Sequence, residues 1–167
     1  NAGIAVMAGF LPDYLIATGM ADAPAANFAS LASWAFAAAT PFGGLVADRW
    51  VGRRLAVIGG AVITGLLFAA VVGSGGNGVV VLLLGASFAL SPGALTAQVG
   101  EATPPAFRAS VFGWYSGGSY LALAIAPWVA GWLRDATASA AAPMWFGAVL
   151  MLAMWPAYLW FRRSVMR

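Results

Sequence analysis

Asp48, Arg49, Arg53 and Arg54 crowd into the stretch Gly43–Arg54, which reads GGLVADRWVGRR. An acid among guanidinium groups forms charge-assisted pairs, so its chemistry is electrostatic contact rather than bond-making. Long apolar runs flank the cluster, Leu31 to Val46 before it and Leu55 to Val72 after it. Dense charge pinched between two membrane-length hydrophobic segments reads as a tight cytoplasmic loop joining two transmembrane helices. A second charged set, Glu101 and Arg108, brackets Pro104-Pro105, and Asp13 is the only acid placed inside an apolar run.

Other chemistry is thinly provided. All eight basic residues are arginine, and the chain has no Lys, His or Cys. Zinc, haem and thiol chemistry therefore lose their usual ligands and nucleophiles. The five acids are scattered, so no carboxylate metal site and no cofactor is expected. No acid, base and nucleophile fall within reach of one another, which argues against a membrane enzyme. The sequence pI near 10.0 does not imply nucleic acid, because the arginines sit at the ends of apolar runs.

The elements that must position these groups follow from composition. The chain has 167 residues, 62% hydrophobic and 8% charged, with mean hydropathy +0.88. Soluble domains carry about a quarter charged residues, so this chain belongs in a lipid bilayer. Lipid admits helices or closed barrels, and long Ala/Leu/Val runs choose helices. Six spans are expected: Ala2–Gly19, Asn27–Ala47, Leu55–Val72, Val79–Gly100 interrupted by Pro92-Gly93, Ala109–Leu133, and Pro143–Phe161. Met20–Ala26, the glycine-rich turn Gly73–Gly78, Glu101–Arg108 and Arg134–Ala142 connect them with the charged loop. Arg49, Arg53, Arg54, Arg108, Arg162, Arg163 and Arg167 then fall on one side and Arg134 alone on the other. That bias makes the arginine-rich side cytoplasmic, with the 48–54 and 101–108 loops and the C-terminus on it. Trp128, Trp132, Trp145, Trp155 and Trp160 lie near span ends, as an interfacial belt would. The start at Asn1, inside an apolar run, reads as part of a longer protein.

The charged loop resembles the signature G-x-x-x-D-R-x-G-R-R of the major facilitator superfamily, which those transporters carry between spans two and three and again between eight and nine. Gly44-x-x-x-Asp48-Arg49 matches in register, and Gly52-Arg53-Arg54 follows with one extra residue, Trp50 and Val51 filling a place normally held by one. Glu101, Pro104 and Arg108 resemble the E-x-F-P-x-x-x-R loop between spans ten and eleven, with Thr103 in place of the aromatic. Gly113-Trp114-Tyr115 and Pro127 are similar to features of the eleventh span. Phe10-Leu11-Pro12-Asp13-Tyr14-Leu15 looks like the Y-x-P-x-Y-L stretch of span seven in metabolite:proton symporters, with Phe10 for the first tyrosine.

The resemblance implies an all-α, six-helix C-terminal half, spans seven to twelve, built as a three-plus-three inverted repeat joined at the glycine-rich turn. It implies alternating access, a small organic acid or a zwitterion as substrate, protons as the coupling ion, and an N-terminal six-helix half as partner. Gly44, Asp48, Arg49, Gly52, Arg53, Arg54, Glu101 and Arg108 would form a cytoplasmic gate, with Gly44 allowing a close helix approach. Topological anchoring is the plainer reading of the same charges. Asp13 lies six residues before Gly19, roughly 9 Å from the outer boundary at ~1.5 Å per residue. It is either an interfacial acid or, with Tyr14, part of a substrate pathway. Ser87 and Ser91, one turn apart ahead of Pro92-Gly93, are either pathway residues at a broken helix or backbone-bonded serines at a kink. Asn27, Ser30 and Trp34 share a face that packing explains, and Gly113-x-x-x-Gly117 is a close-packing motif. A homodimerising six-span channel or scaffold is the rival reading.

Overall fold

The computed structural model describes residues 2–165, and these contain helices and turns with no strand. Seven α-helices follow one another: α1 Ala2–Ala17, α2 Asp22–Val46, α3 Arg53–Gly73, α4 Gly78–Ser87, α5 Pro92–Ala102, α6 Arg108–Thr137 and α7 Ala142–Val165. A π turn, Ala47–Val51, joins α2 to α3, and a 3-10 turn, Pro105–Phe107, leads into α6.

Among the described residues, four helical stretches are long and apolar enough to cross a membrane: Asp22–Val51, Arg53–Gly73, Gly78–Ala102 and Ala142–Trp160. α1 is apolar but shorter, at 16 residues. α6 has the length, 30 residues, but its serines, glycines and terminal charges dilute its hydropathy.

Several expected boundaries move. α2 begins at Asp22 rather than Asn27, because Pro24 sits in its first turn, where a missing N–H costs nothing. The expected loop at Glu101 contracts, since Glu101 and Ala102 complete α5. α6 runs past Leu133 to Thr137 and ends at Ala138 in the left-handed region, φ 50°. The break at Pro92 is real: α4 stops at Ser87, and the N–H groups of Phe88, Ala89 and Leu90 reach back three residues instead of four.

Glycine and alanine set the packing. α2 lies along α4, and α3 along α7. A Cβ at Gly85 would collide with the Ala32 carbonyl, and one at Gly43 with the Ala89 carbonyl, so α2 and the α4–α5 rod touch backbone to backbone. The main core gathers Val6, Met7, Leu11, Phe68, Leu84 and Met144. A smaller cluster, Ala47, Ala56, Val57, Ala94 and Tyr158, lies below the charged turn. Trp34, Trp114, Trp128, Trp132 and Trp160 point outward, all more than half exposed.

Candidate functional site

The charged turn takes its shape from one additional residue. A π turn closes an i→i+5 ring where an α-helix closes i→i+4, so Ala47–Val51 absorbs the extra position at Trp50-Val51. Gly52 then turns the chain at φ 80°, a value that favours glycine, and Arg53 opens α3. This puts Asp48 and Arg53 side by side.

Arg53 Nε donates to Asp48 Oδ1 at 2.6 Å. Its terminal nitrogen pairs with Glu101 Oε1, on the last turn of α5. One guanidinium thus bridges two carboxylates from separate elements, and all three side chains remain partly exposed. Such pairs are screened, so their weight lies in specifying an arrangement more than in fold stability. Arg49 and Arg54 are exposed and make no ion pair among the described residues. Arg108 makes no ion pair among the described residues, and its Nε donates to the Thr103 carbonyl at 3.3 Å, closing its own loop. Gly44 makes no close approach within this chain, since a Cβ there would meet nothing within 4 Å. The tight contact belongs to its neighbour Gly43. Arg162's side chain and Arg167 lie outside the described residues.

Sequence reasoning missed Gln98 and Tyr158. Gln98 donates its amide to the Arg53 carbonyl at 3.3 Å and accepts from the Tyr158 hydroxyl at 2.5 Å. This relay fastens the start of α3 to α5 and α7 directly behind the ion pairs. The available signal was that Gln98 is the chain's only glutamine and stands in an apolar span.

At the opposite end, Asp13 of α1 pairs with Arg134 of α6. The two are 121 positions apart, and Arg134 is the arginine that charge counting left alone. Tyr14 is buried, and its hydroxyl donates to the carbonyls of Val72 (3.2 Å) and Val71 (3.4 Å), capping the end of α3.

Ser87 and Ser91 tie the broken rod to α3. Ser87 donates to the Leu84 carbonyl at 2.7 Å, which leaves Thr64 of α3 to donate to Ser87 Oγ at 2.9 Å. Ser91 donates to the Val57 carbonyl at 3.3 Å. Ser91 also lines a cavity of about 140 Å³ between α1, α3, α5, α6 and α7. Asp13, Tyr14 and Ser87 do not line it.

Among the described residues, no three His, Cys, Asp or Glu side chains cluster in a way that could hold a metal. No match was found among curated proteins or among solved structures. The model of the Major Facilitator Superfamily, a family of membrane transporters of small molecules, matches residues 2–166. With nearly its whole length matched to that model, this chain belongs to the Major Facilitator Superfamily.

Proposed function

We propose that this chain is the C-terminal six-helix half of a proton-coupled secondary transporter in the cell's inner membrane. It moves a small metabolite, an organic acid or a zwitterion, by rocking of two halves around a central site. The observation that carries this reading is the double ion pair of Arg53 with Asp48 and Glu101. A cation held between carboxylates of two elements, at the end richest in arginine, suits a cytoplasmic gate that forms in one state and opens in another. Arg49, Gly52, Arg54 and Arg108 border this gate. Gly44 lies open and available to a helix of the partner half.

The partner half covers the α2 and α6 side. Ser30, Trp34 and Thr40 on α2 face outward, and so do Gly113, Gly117 and Gly118 on α6. None of those three glycines meets a neighbour within 4 Å. The small residues left unpacked, Ser30 and Thr40 on α2 and the three glycines on α6, fit close contact with other helices.

Uptake by proteoliposomes holding the intact protein, assayed against a panel of organic acids and zwitterions with and without an inward proton gradient, tests this reading. Gradient-driven accumulation of a panel member is expected. Absence of uptake across the panel, by protein that is folded and inserted, would overturn it.

A further inference from the structure

We infer that the cavity between α1, α3, α5, α6 and α7 is a subsite for an uncharged, ring-sized apolar group carrying one hydroxyl or carbonyl. In taking that group for part of the transported molecule, the inference rests on the transporter reading above. Volume sets the first limit. At about 140 Å³ the space is close to the ~150 Å³ apolar cavity that takes up benzene. It exceeds several-fold the ~30 Å³ share of one water molecule.

Charge sets the second limit. Ile4, Phe88, Leu95, Met151 and Met154 supply apolar walls, and no lining residue carries a charge at neutral pH. The nearest charged residue along any lining helix is Glu101, six positions beyond Leu95, or roughly 9 Å at ~1.5 Å per residue. Asp13 and Arg134 are paired with each other, as is Arg53 with its two acids. An ionised group in the cavity would lose water and find no counter-charge. The ionised part of an organic acid or zwitterion therefore lies elsewhere, and this half holds its uncharged part.

Polar groups set the third. Thr64 and Ser91 are already committed to Ser87 and the Val57 carbonyl. On α6 the position differs. Ser119 has no hydrogen-bond partner among the described residues, and Tyr115 has only a long 3.4 Å contact to Thr96. Four residues apart, they share one helix face. They can donate to and accept from a single hydroxyl or carbonyl, while the thioethers of Met151 and Met154 adapt to a ring edge.

The test uses the intact protein in lipid nanodiscs with 4-fluorobenzyl alcohol as probe, followed by fluorine NMR. Saturable binding of the alcohol is expected, with 4-fluorobenzoate and 4-fluorobenzylammonium weaker by about tenfold or more. Ser119→Phe should abolish binding by filling the space. Ser119→Ala, a change that preserves folding, should weaken the alcohol several-fold and leave fluorobenzene binding unaltered. Equal binding of a charged probe, or alcohol binding indifferent to Ser119→Ala, would overturn the subsite. Uptake of a panel metabolite without alcohol binding would overturn the subsite alone. Alcohol binding without uptake of any panel member would overturn the transporter reading and leave a site for neutral ligands.

Discussion

Arg53, the first residue of α3, and Glu101, in the last turn of α5, form an ion pair across 48 positions of sequence. Because Arg53 also holds Asp48, the pair couples the π turn to the lower half of the broken α4–α5 rod. Ser91 sits at the upper end of that lower half and lines the cavity. One short helix, α5, thus connects the Arg53–Glu101 pair at its last turn with the cavity wall at its first.

Topology comes first among the expected outcomes. The chain has no cysteine, so single cysteines can be introduced into it directly. Cysteines at Gly76 and Ala138 should label from outside intact cells, and one at Trp50 should not. External labelling at Trp50 would invert the orientation.

Packing gives a second. A Cβ at Gly85 meets the Ala32 backbone carbonyl, which cannot move without displacing α2. Gly85→Ala should destabilise the protein by about 1–3 kcal/mol, the usual cost of overpacking. Gly59→Ala, on α3 with open space around it, should stabilise by about 0.5–1 kcal/mol through helix propensity. Thermal unfolding in detergent measures both, and equal effects would contradict the backbone contact.

Tyr14 gives a third. With its hydroxyl spent on the Val71 and Val72 carbonyls, Tyr14→Phe should cost about 0.5–1.5 kcal/mol of stability. The apparent affinity for a transported metabolite should not move. A several-fold rise in KM at unchanged stability would instead assign Tyr14 to the pathway.

Much of the fold was legible locally, and much of the site was not. The turn at Gly73–Gly78 and the interruption of the fourth span at Pro92-Gly93 follow from glycine and proline in place, whereas the stop at Ser87, ahead of the proline, does not. The charged turn was also visible, because its acid and arginines stand within a few residues. What escaped depends on how helices rotate against one another. The pair of Asp13 with Arg134 spans 121 positions. The Gln98 link to Tyr158 spans 60 positions. Gly43 and Gly44 are adjacent, and only the facing of α2 towards Ala89 decides which one is packed. Arg108 carries the same charge as Arg53, yet the tight Thr103–Phe107 turn directs it to its own loop.

The gate is tested most directly by labelling a cysteine at Ser91 from the cytoplasmic side, with and without Asp48→Asn. Removing that charge leaves the shape of residue 48 and takes away one of the two acids held by Arg53. The state with the cytoplasmic side closed should lose population relative to the open one, since populations follow the difference between states. The expected result is faster cytoplasmic labelling at position 91, slower uptake and normal membrane insertion. Glu101→Gln should act in the same direction, and the double change should fall short of the sum because one arginine serves both acids. Unchanged labelling and unchanged uptake in Asp48→Asn would contradict the gate and reduce the Arg53 cluster to a topological anchor.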